Sequence, residues 1–146
     1  MPSTPTRPCT CAALRRLTRQ VSTVYDHHLA PAGLKTSQYS LLMHLDADGV
    51  GLTTLARRTG TDRTTLTRNL AVLERAGWVA IGRADDARQR LIRLTEAGAA
   101  KRRATYPYWR QAQDLIEATL SEASVTALHA GIDAALKRLR PLIPAN

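Results

Sequence analysis

The two cysteines of the chain, Cys9 and Cys11, stand one residue apart at the predicted start of a helix. A thiolate near a helix N-terminus is chemically reactive because the helix dipole stabilises its charge, and its oxidation begins with a sulfenic acid. Two other interpretations compete: the cysteines are small apolar fillers, or the two thiols bind a soft metal or arsenite. His27 and His28 lie about four turns further along the helix, too far away to complete a metal site.

A second group of side chains suits nucleic acid. The segment LTTLARRTGTDRTTLTRNLAVLERAGWV has the layout of a helix-turn-helix, in which Gly60 ends a short helix and a longer one follows. Arginine can bind guanine bidentately, threonine and asparagine contact base edges or phosphates, and a helix N-terminus favours phosphate. The residues expected to contact DNA on the outer face of the second helix are Arg63, Thr64, Thr65, Thr67, Arg68 and Asn69.

The next segment predicts a β-hairpin with a charged tip, because the runs WVAIGR and RLIRL flank the polar stretch ADDARQ. An arginine at such a tip can enter a minor groove, where narrow A·T tracts concentrate negative potential. Arg88 and Arg90 are the candidates, and Asp86 is placed to hold the Arg88 guanidinium. The alternative is an ordinary solvent-exposed turn with mixed charges.

Charge is distributed unevenly along the chain. The net charge of +9 suggests an anionic partner, either nucleic acid or a membrane surface. Residues 53–103 hold twelve Lys/Arg against five Asp/Glu, whereas residues 104–146 hold four of each. No apolar run approaches the roughly 18 residues that cross a bilayer, and the N-terminus has no signal-peptide pattern. We therefore expect no membrane partner and a cytoplasmic location, where thiols are normally reduced.

Periodicity and turn residues define a mainly α chain with one small β element. Residues 1–8 carry three prolines and are expected to be disordered. Five of the predicted helices are expected to be capped by Thr10, by Thr36 or Ser37, by Thr61, by Thr95 and by Ser121, and the short third helix is expected to begin at Thr53 or Thr54. Their predicted ends are about Ala30, before the turn DADGV, Gly60, Gly77, about Leu120 and before Pro141.

The stretch DRTTLTRNLAVLERAGWVAIGRADDARQRLIRLTEAG resembles the winged helix of the MarR family of bacterial transcription regulators. The family's wing reads roughly D-x-R, three residues, an apolar residue, any residue, L-T, two residues and G. The residues that match this pattern without a gap are Asp86, Arg88, Ile92, Leu94, Thr95 and Gly98. LAPAGLKTSQYSLL and YWRQAQDLIEATLSE also resemble the family, so the resemblance covers nearly the whole chain after residue 8.

The resemblance implies one mainly α domain over residues 9–146. A winged helix-turn-helix at 36–99 is flanked by dimerisation helices at 9–35 and 100–146. It also implies that each recognition helix enters a major groove and each wing a flanking minor groove, on a near-palindromic double-stranded operator with half-sites about one turn apart. A partner subunit would cover the apolar stripe of the last two helices, formed by Leu115, Ile116, Leu120, Val125, Leu128, Ile132, Leu136 and Leu139.

Part of the chain is similar to the OhrR group of that family, which senses organic hydroperoxides with a cysteine near the start of the first helix. A tyrosine fourteen residues further on hydrogen-bonds the thiol in that group. TCAAL places Cys11 in the cysteine position, and Tyr25 follows fourteen residues later. The match is partial, because Ala12, Arg15 and Thr36 replace aromatic residues of the group.

Cys9 adds a thiol two residues upstream of Cys11. Side chains at i and i+2 of a helix point about 200° apart, so an internal Cys9–Cys11 disulfide requires the first turn to unwind. That change would disturb the dimer interface. A disulfide to the other subunit is the second option.

The sequence therefore predicts a sequence-specific DNA-binding transcription regulator, a homodimeric repressor released by a signal, with no enzymatic activity, cofactor or metal. Thiol oxidation at Cys11 is one candidate for that signal. One alternative is release by a small aromatic ligand in a cleft. A non-specific architectural DNA binder would leave the shaped wing unexplained, and a thiol peroxidase would leave the helix-turn-helix unexplained. The candidate ligand residues, each of which could also belong to the core or an interface, are Tyr25, His28, Tyr39, His44 and Trp109.

Overall fold

The computed structural model describes residues 7–83 and 90–144, which form six helices and a three-stranded sheet. The predicted mainly α fold is confirmed. The predicted disordered tail falls largely, and the tip of the predicted hairpin entirely, outside the described residues. The helices are α1 (Thr10–Leu29), α2 (Thr36–Met43), α3 (Leu52–Thr59), α4 (Arg63–Arg75), α5 (Glu96–Leu120) and α6 (Glu122–Leu139); the strands are β1 (Val50–Gly51), β2 (Val79–Arg83) and β3 (Arg90–Leu94); short 3-10 turns lie at Ala30–Ala32 and Arg140–Leu142.

The sheet contains the predicted antiparallel hairpin of β2 and β3, with Arg83 opposite Arg90. β3 also pairs with β1, so the strand order is β1-β3-β2. The sequence prediction missed β1, because two residues are too few for an alternating pattern to show. Gly49 precedes β1 with a φ of 92°, a conformation that favours glycine.

The hydrophobic core lies mainly in α2, α3, α4 and the sheet, which together form the winged-helix lobe (residues 36–94). α4 presents Leu66, Leu70 and Leu73 to this core at helical spacing. α2 contributes Leu41 and Leu42, and the end of α1 closes the core with Leu29. The polar face of α4 is thereby held on the opposite side, facing solvent.

Glycine ends two helices at the predicted positions. Gly60 has a φ of 62° at the end of α3, and Gly77 has a φ of 77° after α4. Apart from the adjacent residues, no described part of the chain comes within 4 Å of a Cβ built on either glycine. The backbone angle, rather than lack of space, is therefore the reason for glycine at both turns.

Several predicted helix starts are wrong by one or two residues. The N-cap positions of α1, α2 and α4 are held by Cys9, Lys35 and Asp62, instead of the predicted Thr10, Thr36 or Ser37, and Thr61. The helix α3 begins at Leu52 instead of Thr53 or Thr54. At α2, Gln38 Oε1 accepts from the Lys35 N–H at 3.0 Å and Asp26 Oδ1 accepts from the Thr36 N–H at 2.7 Å. The first N–H groups of α2 therefore need no threonine or serine cap.

Thr95 and Ser121 cap α5 and α6 as predicted. The Thr95 hydroxyl accepts from the Gly98 N–H at 2.9 Å and donates to the Gly77 carbonyl at 2.7 Å. A Cβ on Gly98 would lie 1.9 Å from the Trp78 carbonyl oxygen. The L-T-x-x-G part of the wing pattern is therefore a packing contact that ties α5 to the lobe.

The helical region, which comprises α1, α5 and α6, is more open. α5 packs along α1 and continues through Pro107 as one helix. Most of α6 is exposed, and Val125 is its buried residue. Within residues 7–83 and 90–144, every helix is too short or too polar to span a bilayer.

Candidate nucleic-acid interface and thiol site

The N-terminus of α4 is built around the carboxylate of Asp62. This carboxylate accepts from the Thr65 N–H at 2.9 Å and from the Thr65 hydroxyl at 2.7 Å. The Thr65 side-chain bond and the backbone N–H groups hold the pKa of Asp62 below its ordinary value. Asp62 is therefore the ionised N-cap of α4, and its carboxylate is a stronger hydrogen-bond acceptor than the hydroxyl of Thr61, the predicted cap.

The predicted reading face is a continuous exposed surface on the first two turns of α4. Thr67 donates its hydroxyl proton to the Arg63 carbonyl at 2.7 Å, and Thr65 donates its own to Asp62. These two hydroxyls therefore face solvent chiefly as hydrogen-bond acceptors, while the guanidinium groups supply donors. The exposed residues are Arg63, Thr64, Thr65, Thr67 and Arg68, and Asn69 is half-buried at their edge.

Arg90 lies where the wing meets α4. It begins β3, so it stands at the base of the tip rather than within it. Together with Thr67 and Glu74 it lines a small hollow between α4 and the sheet. Arg83 lies opposite Arg90 on the same sheet face and was not singled out from the sequence. Asp86 and Arg88 lie outside the described residues.

The thiols lie at the free end of α1. Cys9 is the residue before the helix, and Cys11 lies in its first turn. Both are exposed free thiols in the single chain. The exposure of Cys11 does not fit the interpretation of a core filler within one subunit. Cys9 lines a shallow hollow with Pro8, Arg16 and two alanines.

Tyr25 has a partner other than Cys11. Its hydroxyl donates to Gln113 Oε1, and Gln113 Nε2 donates to Glu117 at 2.7 Å. Burial, followed by the Glu117 charge, raises the pKa of Tyr25 above its ordinary value. Cys11 and Tyr25 are fourteen residues apart on one helix, or about 21 Å. A bond between them is therefore out of reach within a chain and possible only between subunits.

The five ligand candidates lie in different surroundings. Tyr25 stacks on Trp109 with ring centroids 6.5 Å apart. Tyr39 is a core residue with 2% of its surface exposed. His28 and His44 each place ring Nδ1 against the carbonyl four residues earlier, at 3.0 and 2.7 Å. The structure therefore brings Tyr25 and Trp109 into direct contact.

An apolar groove lies between α1 and α5, and none of the five ligand candidates lines it. It is lined by Leu17, Gln20, Val21, Val24, Leu115, Ile116, Thr119 and Leu120. In the described part of the chain, no group of three or more His, Cys, Asp or Glu side chains is arranged to hold a metal ion. The soft-metal interpretation of the cysteines therefore has no third ligand among those residues.

The short helix α3, the exposed polar helix α4 and the adjoining hairpin define a winged helix-turn-helix protein. A model of the MarR family matches residues 32–90. The structure is similar to that of the transcriptional regulator MosR of M. tuberculosis, solved in complex with DNA, with 36% identity and a TM-score of 0.77 over 91% of this chain and 99% of that one. The chain belongs to the MarR family of DNA-binding transcription regulators.

Two further structures share this fold. The transcriptional repressor CouR, solved bound to a 23-mer DNA duplex, is 26% identical with a TM-score of 0.76, over 87% of this chain and 92% of that one. The regulator PcaV of Streptomyces coelicolor is 22% identical with a TM-score of 0.79, over 94% and 98% of the two chains. A comparison with curated protein sequences gives no significant match.

Proposed function

We propose that the chain is a homodimeric repressor that binds a near-palindromic double-stranded operator and releases it when Cys11 is oxidised. The observation that carries DNA binding is the exposed polar face on the first turns of α4, opposite three buried leucines. The similarity to MosR, solved with DNA, and to the repressor CouR, solved on a duplex, supports the same partner for this chain.

Within this proposal, some residues on the exposed face of α4 contact DNA bases and others contact phosphates. Arg63 and Arg68 supply donors to guanine edges or phosphates, and Thr64, Thr65, Thr67 and Asn69 contact base edges and backbone oxygens. Arg90 adds positive charge at the wing base. Arg88, held by Asp86, enters the flanking minor groove.

The wing assignment is tested by Arg88→Ala. We expect weaker operator binding and a plot of log affinity against log salt that is shallower by about one, because one phosphate-region cation is lost. Lys35→Ala, which removes an exposed cation just before α2, away from the proposed DNA and dimer surfaces, is the matched control. Fluorescence anisotropy at several salt concentrations measures both quantities. An unchanged affinity and slope in Arg88→Ala would show that the wing arginine does not contact DNA.

The dimer interface is proposed to consist of α1, α5 and α6. These helices expose large apolar side chains in the single chain, and a partner subunit would bury them. The exposed fractions are 49% for Leu14, 48% for Leu115, 63% for Leu136 and 52% for Leu139. The apolar groove between α1 and α5 continues the same surface. We therefore propose that a second subunit buries this apolar surface.

The proposed signal is an organic hydroperoxide. The Cys11 thiolate attacks the terminal peroxide oxygen, the O–O bond breaks, and the departing alkoxide takes a proton from solvent to become an alcohol, which leaves a sulfenic acid. The Cys9 thiol can then attack the sulfenic sulfur, forming the S–S bond and releasing water. Cys9 already lies outside α1, so this closure needs only the first turn of the helix to unwind.

The test uses a fluorescent fragment of the chain's own upstream DNA with random duplex as control. Binding is measured for the reduced protein, after a near-stoichiometric dose of organic hydroperoxide, and after dithiothreitol. We expect release and recovery for the wild type, and no release for Cys11→Ser. Cys9→Ser separates the disulfide from the sulfenic acid, because only the disulfide needs the second thiol.

Other results would redirect the proposal. Specific binding that ignores peroxide would reject the thiol signal and favour a small aromatic ligand, for which Tyr25 and Trp109 are the pair brought together. Equal affinity for random duplex would indicate an architectural DNA binder. We further propose a cytoplasmic, non-enzymatic protein that consumes peroxide in stoichiometric amounts. Sustained peroxide turnover would contradict that statement.

A further inference from the structure

Two basic side chains on the second turn of α5 donate hydrogen bonds to backbone carbonyls outside their own helix. Arg102 Nη1 donates to the Leu45 carbonyl at 2.8 Å and to the Leu42 carbonyl at 3.1 Å, at the C-terminal end of α2. Lys101 Nζ donates to the Ala32 carbonyl in the turn that joins α1 to α2. All three acceptors are main-chain atoms, so these bonds fix the position of chain segments rather than of side chains.

Lys101 has a second contact through the same ammonium group. Its Nζ lies 4.8 Å from the centroid of the Trp78 ring, within cation–π range. Trp78 directly precedes β2, the first strand of the wing. Lys101 and Arg102 are both half-buried, so their interactions are screened less than those of exposed charges. Together they hold α5 to the turn between α1 and α2, to the end of α2 and, through Trp78, to the start of the wing.

The lobe is joined to the helical region at two places, the turn between α1 and α2 and the start of α5. The first turn of α5 is fixed to the lobe by Thr95 and Gly98, and further along the helix meets α1 where Tyr25 bonds Gln113. From Arg102 to Leu120 the helix extends about 27 Å, so a tilt of about 10° at its base displaces its far end by about 5 Å. The angle set in the first two turns therefore decides where the lobe lies relative to the dimer helices.

We propose that Lys101 and Arg102 are positioning residues that set this angle, and through it the spacing between half-sites that the dimer reads. The inference rests on the proposed function, since half-sites exist only for a dimer on an operator. Both residues act through α2, the α1–α2 turn and Trp78, not through a contact with DNA.

The DNA experiment varies operator spacing. Footprinting on the upstream fragment defines the half-sites, and one or two base pairs are then inserted or deleted between them. We expect the wild type to prefer one spacing, and Arg102→Gln and Lys101→Met to lose about tenfold of that preference, because affinity for the native spacing falls while other spacings change little. Arg103→Gln removes a neighbouring exposed charge of α5 and is the matched control. It should affect all spacings alike.

A DNA-free measurement reports the angle directly. A nitroxide label at Thr53→Cys, exposed on α3, in a Cys9→Ser/Cys11→Ser background gives the distance between the two lobes of the dimer by pulsed electron paramagnetic resonance. We expect a broader distance distribution for Arg102→Gln. Arg102→Lys keeps the charge but not the guanidinium, and should be intermediate.

The outcomes separate this proposal from the proposed function. An Arg102→Gln protein with wild-type spacing preference and distance distribution would overturn the positioning role. If Arg102→Gln does not fold, Arg102→Lys decides by the same two readouts. If the wild type binds no DNA specifically, the proposed function fails, and an unchanged inter-lobe distribution in the Arg102 variants would then overturn the positioning role independently.

Discussion

The winged-helix lobe and the helical region differ in how far their leucines are buried within one chain. In the lobe, Leu55 and Leu66 are completely buried within one chain. In the helical region, Leu136 and Leu139 repeat at helical spacing but expose 63% and 52% of their surface. The same kind of apolar repeat therefore forms a buried core within one chain in the lobe, and an exposed apolar surface in the helical region.

Under the proposed function, this difference places DNA contact and thiol oxidation in separate regions. The reading face of α4 is held by a core that needs no second subunit. The cysteines lie at the free end of α1, in the region whose packing depends on a partner. A chemical change there can alter how two lobes are arranged while each lobe remains folded. Substitutions that disturb one region at a time test whether the two regions are independent.

The largest effect is expected at Gly98, where the two regions are joined. In Gly98→Ala the new Cβ would stand 1.9 Å from the Trp78 carbonyl oxygen, so main-chain atoms must move. We expect the free energy of unfolding to fall by on the order of 4 kcal/mol and the Tm by roughly 10 °C, measured by circular dichroism.

Gly131→Ala is the matched control within α6. No heavy atom lies within 4 Å of a Cβ at that position. Alanine is the better helix former, so this variant should be unchanged or more stable by up to about 1 kcal/mol. Equal losses in the two variants would show that Gly98 is not a close-packed joint.

The second prediction compares a leucine from each region. Leu66→Ala leaves a cavity in the lobe and should lower the free energy of unfolding by about 2–5 kcal/mol at every protein concentration. Leu136→Ala should instead raise the dissociation constant of the dimer about tenfold, because two copies are truncated in each symmetric interface. Sedimentation measures the second effect. A loss in Leu136→Ala that is independent of concentration would place that side chain in an intramolecular core.

The reading face of α4 was predictable because its signals are local. Leu66, Leu70 and Leu73 repeat at helical spacing, Gly77 ends the helix, and the hairpin runs alternate in the expected way. These patterns lie within a window of a few turns. The resemblance to the MarR family then supplied the arrangement of helix and wing.

The contacts that position the site were not predictable, because they join residues far apart in the chain. Tyr25 and Gln113 are separated by 88 residues, and Arg102 bonds a carbonyl 60 residues away. No local pattern marks either pair, and OhrR similarity suggested Cys11 as the partner of Tyr25. The cap of α4 was missed for a different reason, since Thr61 and Asp62 are both good capping residues and only geometry selects between them.

The smallest effect is expected for Asp62→Asn at the start of α4. The folded pKa of Asp62 is lowered by its bonds from Thr65, whereas an unfolded aspartate titrates near about 3.9. Between the two values the unfolded state binds more protons, so the stabilising contribution is fully present above about pH 4 and is lost as the pH falls through the folded pKa. The wild type should therefore lose Tm over this acidic window more steeply than Asp62→Asn. Glu74→Gln, at an exposed acid near the other end of α4, should keep the wild-type profile. Identical profiles for the wild type and Asp62→Asn would mean that the carboxylate does not cap the recognition helix in solution.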